Sequence, residues 1–277
     1  MQSIFSITTA FRYKDCIDKC FIMTDHPEYY DSIKDEIKII KITQQQIDDW
    51  MGAKKFVLNI KIKGIELFHN LHPDKYFMFV DSDTFFYSSP KDIFTSLTDN
   101  PKCAYLHLSE RSYGDRIKNN KNEKALFDKL SEVQSDYPIS ETTVMYNSGV
   151  IALQPHDMQE TLNDIYKLTN QFLDEGIKSH YLEQLAFSAV LQKKYDLHTC
   201  GNVIGHYWGN KQEWNPLVAS FVVEGLIKKY TINDYINILP TIDFNRPVVQ
   251  ERTYWNIKFV NLMYRLFPNR AAFAYKK

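Results

Sequence analysis

Two carboxylates, Asp81 and Asp83, stand two residues apart directly after the apolar run Tyr76-Phe77-Met78-Phe79-Val80. Such a run, bounded by charge and too short for a helical repeat, reads as a strand buried on both faces in the middle of a parallel sheet. Ligands of open α/β sheets bind at the C-terminal edge of such strands. An Asp-x-Asp pair at that edge offers hard oxygen ligands to Mn²⁺ or Mg²⁺, and the ion can in turn hold a diphosphate. Burying two neighbouring charges without a cation is unfavourable. An Asp-x-Asp arises by chance about once in a chain of this length. The position of Asp81-Ser82-Asp83 after the strand is therefore what makes it a candidate site.

Further residues able to do chemistry fall at the ends of expected elements. Asn147-Ser148-Gly149 is a polar turn feeding the apolar run 150–153. Gly149 lets a backbone pass close to a ligand, and Asn147 can donate and accept towards a sugar. Glu183-Gln184 sets a carboxylate and an amide near a helix start, and the loop 204–211 brings His206, Gly209 and Lys211 together. Assembled, these are parts for moving a sugar from a nucleotide. Asp81, Asp83 and His206 ligate a divalent ion, and the ion and Lys211 offset the charge of a diphosphate leaving group. Asn147, Glu183 and Gln184 hold the sugar.

The elements that must position them alternate strand and helix. Strands are expected at 2–7, 20–23 and 37–42, with short helical patterns at 14–19 and 28–33 between them, which describes a βαβ nucleotide-binding half. Thr8, Thr9 and Tyr13 follow the first strand; the hydroxyls suit a nucleotide and Tyr13 a base, although packing or helix capping explains the same residues. A helix over 54–70 delivers the chain to the central strand, and Lys61 or Lys63 on it could face a phosphate, or a solvated face. Further strands are expected at 103–108 and 197–203, and helices at 156–175 and 181–191. The polar segment 109–141 reads as a lid or acceptor-binding insertion, or as a solvated surface helix.

Composition sets the class. The chain has 277 residues, 18 Tyr and 18 Phe but only nine Gly, which suits one well-packed α/β domain with an appendage. A formal net charge of −1 argues against a general nucleic-acid binder. No basic-then-apolar leader opens the sequence, and no run of about 18 apolar residues occurs. Cys16, Cys20, Cys103 and Cys200 lack zinc-site spacing and are expected to be reduced thiols of a cytoplasmic protein.

On Asp81-Ser82-Asp83, Asn147-Ser148-Gly149, Glu183-Gln184 and His206-Tyr207-Trp208-Gly209-Asn210-Lys211 the chain resembles the GT-A glycosyltransferases, and in motif order glycosyltransferase family 8. That family has an Asp-Gln pair where Glu183-Gln184 stands here, and its lysine lies one residue farther from the glycine than Lys211. The resemblance covers residues 2–214. It implies a Rossmann-like GT-A fold with a mixed central sheet, catalytic over 1–214, and a helical extension over 215–277. It also implies retaining transfer from a UDP-hexose, UDP-galactose or UDP-glucose, with Asp81, Asp83 and His206 on Mn²⁺ and Gln184 near the β face of the sugar. The acceptor expected is a glycan, lipid-linked or free.

In the tail, Trp255, Phe259, Leu262 and Leu266 share one helical face, and six basic residues oppose the single acid Glu251 over 251–277. Such a helix suits the cytoplasmic face of an anionic membrane, the catalytic domain, or a twin subunit in a homodimer. Two rival readings stand beside the retaining enzyme. One is an inverting GT-A enzyme with a carboxylate base such as Glu183. The other is a non-catalytic protein that binds sugar nucleotides or glycans.

Overall fold

The computed structural model describes residues 1–118 and 120–244, together with Phe259, Leu262, Met263 and Leu266. The first half runs α1 (Gln2–Phe11), β1 (Phe21–Thr24), β2 (Lys38–Lys41), α2 (Gln44–Met51), α3 (Asn59–Leu71), β3 (Phe77–Val80), β4 (Thr84–Phe86), α4 (Lys91–Asp99), β5 (Cys103–Leu106), β6 (Ser109–Ser112), α5 (Tyr113–Ile117) and α6 (Lys121–Glu132). The second half runs β7 (Val144–Tyr146), β8 (Val150–Leu153), α7 (Met158–Asp174), α8 (Leu182–Lys194), β9 (Asp196–Thr199), β10 (Ile204–His206), α9 (Lys211–Lys228) and α10 (Ile232–Ile238).

The architecture is mixed α/β. A four-stranded mixed sheet has the order β3-β8-β5-β9, antiparallel at its first two pairings and parallel at the third. Three two-stranded pairs stand beside it: β1-β2 parallel, and β10-β4 and β6-β7 antiparallel. The main core lies between α7, α8 and the four-stranded sheet, where Ile151, Ile165, Phe172, Leu185 and Phe187 are fully buried. A second core joins α1 to α9 and α10 through Phe5, Trp214, Phe221 and Tyr235. A boundary at 214 would therefore cut α9 and that shared core.

Several expectations change. Residues 2–7 form a helix, not a strand. Ile4, Ile7, Thr8 and Thr9 are β-branched and suggest extended chain. Their hydroxyls and spacing serve a helix instead: Thr8 Oγ1 donates to Ile4 O at 2.7 Å and Thr9 Oγ1 to Ser6 O at 2.7 Å. Residues 14–19 form turns. β3 is not the middle of a parallel sheet; it is an edge strand, antiparallel to β8 and half-buried along its length. Segment 109–141 is built into the fold. β6 pairs with β7, and Tyr113 and Leu130 are fully buried in the main core. Among the described residues no helix is long and apolar enough to cross a membrane. The four cysteines are free. In the tail, Phe259, Leu262 and Leu266 are helical and exposed, while Trp255 lies outside the described residues.

Candidate metal centre

Three turns converge at the C-terminal end of β3. The first is Asp81-Ser82-Asp83, which joins β3 to β4 and is closed by Thr84 Oγ1 donating to Asp81 O at 2.8 Å. The second is Asn147-Ser148-Gly149, held opposite by Asp81 N donating to Gly149 O at 2.8 Å. The third follows β10, whose register sets His206 across from Thr84, while Tyr207 N donates to Asp83 O at 3.1 Å. Short strands thus fix by backbone bonding what the side chains then use.

Ligand atoms of Asp81, Asp83 and His206 all lie within 4.8 Å of one another. His206 Nε2 is 3.2 Å from Asp83 Oδ1 and Nδ1 is 2.9 Å from Asn147 Oδ1. Asn147 Oδ1 already accepts Gly149 N–H at 3.0 Å, which identifies it as the amide oxygen. The imidazole nitrogen facing it must then carry the proton. A neutral ring then turns its Nε2 lone pair towards a carboxylate oxygen, a contact that a cation between them would close, whereas a doubly protonated ring donates to Asp83 directly. The donor set, two carboxylates and one imidazole, fits a divalent ion. Close packing enforces it: a Cβ on Gly149 would lie 2.3 Å from His206 Cε1 and Nδ1. Burial alone would raise the Asp83 carboxyl, but His206 and Lys211 outweigh it and hold Asp83 well below the ordinary carboxylate range. Lys211 Nζ reaches Asp83 Oδ2 at 2.7 Å from a half-exposed position.

A second layer joins Asp81 to Glu183. Lys61 Nζ lies 3.3 Å from Asp81 Oδ1, 3.4 Å from Glu183 Oε1 and 3.1 Å from Ser148 O. Ser148 Oγ donates to Glu183 Oε2 at 3.3 Å. Burial opposes charge on Lys61, yet the two carboxylates prevail and raise its pKa, so it stays an ammonium. Glu183 is buried to 2% exposure, which pushes its carboxyl up despite Lys61. Three carboxylates against two lysines leave the group one negative charge in excess with His206 neutral.

The sequence-selected residues divide. Asp81, Asp83, Asn147, Glu183, His206 and Lys211 come together. Lys63 does not: it bonds Glu66 at 2.8 Å and covers the Tyr166 ring, and Lys61 on the neighbouring face of α3 takes the place at the carboxylates. Gln184 turns to Glu110, donating to Oε1 at 3.2 Å. Thr8 and Thr9 are fully buried inside α1, where Thr9 Oγ1 also accepts Phe86 N–H at 2.9 Å, so neither hydroxyl faces a nucleotide. Tyr13 is half-buried beside Phe86 and Ile93. Ser82 is exposed and borders an open cleft of about 490 Å³ with Met1, Gln2, Ser3, Asn215 and Val218. Gly209 lies in the short 3₁₀ turn Trp208–Asn210.

The sequence reading missed His107. It is buried at the end of β5, stacks edge-on against His206 with centroids 5.3 Å apart, and bonds Ile204 O through Nε2 at 2.8 Å. Burial, helped by His206, pushes its pKa down to about 4. A histidine closing the apolar run 103–106 was the available signal.

No protein-family model matches the chain, and no curated protein does. Among solved structures it is similar to mouse xyloside xylosyltransferase 1 in its apo form, at 10% identity and a TM-score of 0.44, over 72% of this chain and 78% of that one.

Proposed function

We propose that this chain is a metal-dependent GT-A glycosyltransferase that moves a hexose from a UDP-sugar to a glycan acceptor with retention at the anomeric carbon. The observation that supports it is the convergence of Asp81, Asp83 and His206, with ligand atoms within 4.8 Å of one another, at a sheet edge where α/β folds bind ligands. Asp81, Asp83 and His206 would hold Mn²⁺ or Mg²⁺. When bound, such an ion offsets the charge that develops on a departing diphosphate. Asn147 fixes the imidazole tautomer through its Oδ1. Lys211, half-exposed, is placed to shift from Asp83 to an anionic ligand. Lys61 bonds Asp81 and Glu183 together, and that engagement favours Glu183 as a sugar-hydroxyl partner over a general base. Gln184, the next residue on α8, is the neutral group proposed for the sugar face opposite the leaving group, where it supports positive charge without forming a bond. The exposed helical Phe259, Leu262, Met263 and Leu266 suit a membrane surface carrying a lipid-linked acceptor.

The test is a thermal-shift panel of nucleotide sugars with and without Mn²⁺, followed by product NMR. UDP-sugars are expected to raise the melting temperature only with the ion, since a ligand specific for the native state stabilises it. An α-linked product from an α-configured donor is expected. A β-linked product would overturn retention; the absence of a shift with every UDP-sugar tried would overturn the assignment.

A further inference from the structure

β1 and β3 are neighbours without being paired. Phe21 and Phe77, the first residues of the two strands, both rest on Phe68 of α3, at centroid distances of 5.0 and 4.7 Å. Two residues on, Met23 lies against Gly64, where an added Cβ would sit 3.2 Å from its sulfur, and Phe79 lies 5.5 Å from Lys61 Nζ. Following either strand forward therefore retraces α3 backward from Phe68, so the strands run side by side in the same direction. On the opposite face, Ile22 packs into the core built on α1, and Met78 and Val80 pack on the cluster to which Ala10 of α1 belongs. One helix covers both strands on each face. Yet among the described residues no backbone hydrogen bond joins β1 to β3.

The hydrogen-bond parity shows which groups face the gap. Lys38 N donates to Cys20 O and Ile42 N to Thr24 O. In a parallel ladder the even-numbered residues then serve β2, and Phe21 and Met23 turn their amides and carbonyls away from it. Asp81 N donates to Gly149 O, in line with the β3-β8 register. The odd-numbered residues of β3 therefore serve β8, and Met78 and Val80 turn away. Neither strand carries a charge, a proline or a bulge that would protect a bare edge. Every residue of both strands remains half-exposed. Two rings meeting on one ring hold the edges about two interstrand spacings apart, ~10 Å, room for a single strand.

We propose that this gap receives one further strand, parallel to β1 and β3, from the stretch of the same polypeptide immediately N-terminal to Met1. The cleft lined by Met1, Gln2, Ser3 and Ser82 puts the start of α1 beside the turn that follows β3, at the C-terminal edge of the gap. A parallel strand ends at that edge, and a connection of ~2–6 residues carries it into α1. α1 then returns the chain to β1, which makes a βαβ unit of the kind that crosses over right-handed. The sheet becomes continuous in the order β2, β1, the added strand, β3, β8, β5, β9. The added strand's end lies between Thr24 and Asp81, where it forms a wall of the metal centre. A second copy would have to thread its own strand between α1 and α3.

Amide hydrogen exchange tests this on the 277-residue chain and on the chain extended by the residues its gene encodes before Met1. In the shorter chain the Phe21, Met23, Met78 and Val80 amides are expected to exchange faster than those of Ile22, Thr24, Phe77 and Phe79. In the extended chain the first four are expected to slow roughly tenfold or more, with a higher melting temperature at every protein concentration. An upstream reading frame without a run of four or five apolar residues would overturn the proposal. So would unchanged exchange in the extended chain. Protection of the four amides in the shorter chain that grows with concentration would assign the gap to a second copy and overturn the proposed occupant.

Discussion

Two charge clusters in this molecule, one half-buried and one largely buried, invite comparison. Beside α8, Arg116 lies between Glu110 and Glu123, at 3.2 Å from each, and Tyr181 OH and the Gln184 amide add donors to the same carboxylates. Every contact there sets a donor against an acceptor. At the end of β3, by contrast, His206 Nε2 faces Asp83 Oδ1 across 3.2 Å, a contact closed by a proton on Nε2 or by a cation. Net charge does not separate the clusters, because each contains more carboxylates than cations. What separates them is the donor set: the first pairs an arginine with its carboxylates, whereas the second turns two carboxylates and an imidazole towards one point, as a divalent ion requires.

Removing a charge from the first cluster should cost stability and leave ion binding intact. Arg116→Ala leaves Glu110 and Glu123 without their cation, and a loss of about 3–5 kcal/mol is expected from chemical denaturation. The Mn²⁺-induced shift in melting temperature should persist in that variant. A stable Arg116→Ala protein that had lost its Mn²⁺ response would erase the distinction between the clusters.

The next effect concerns the wall behind the metal centre. His107 titrates at about 4 in the folded chain against 6.5 ordinarily, so the unfolded chain binds more protons between those values. Its contribution to stability is therefore fully present above about 6.5 and is lost as pH falls towards 4. The slope reaches at most about 1.4 kcal/mol per pH unit. In EDTA-treated protein, His107→Gln should flatten the stability profile over that range. Parallel profiles for the two proteins would remove His107 from the account.

A smaller effect isolates the tautomer. Asn147→Ala removes the oxygen that fixes the proton on His206 Nδ1 and leaves all three proposed ligands in place. Mn²⁺ affinity should fall about 10- to 100-fold, read by calorimetry, and the metal-free protein should lose about 1–2 kcal/mol because the Gly149 N–H is left unpaired. Equal affinity in the variant would mean that Asn147 does not orient the ring.

The sequence carried most of this centre and less of its frame. Asp81-Ser82-Asp83, Asn147-Ser148-Gly149 and His206 were legible because strand ends announce themselves: an apolar run stops and a polar turn follows. The pairing of those strands was not legible. A short apolar strand looks the same in the middle of a parallel sheet or at the edge of a mixed one, as β3 shows. The α1 segment misled because β-branched Ile and Thr suit a strand until tertiary packing buries them on all sides of a helix. Lys61 and Lys63 sit two positions apart on α3, on different faces, and no pattern in the sequence says which face meets the carboxylates. Gln184 follows Glu183 on α8, but its bond to Glu110 depends on β6, which reads as part of a polar excursion.

The most direct measurement is calorimetric titration of Mn²⁺ into EDTA-stripped protein at neutral pH, with wild type and Asp83→Ala side by side, each followed by UDP. The account predicts one Mn²⁺ site in the wild type, UDP binding that depends on it, and neither in a folded Asp83→Ala variant. A wild type that binds no Mn²⁺, or a variant that binds ion and UDP as the wild type does, would contradict it.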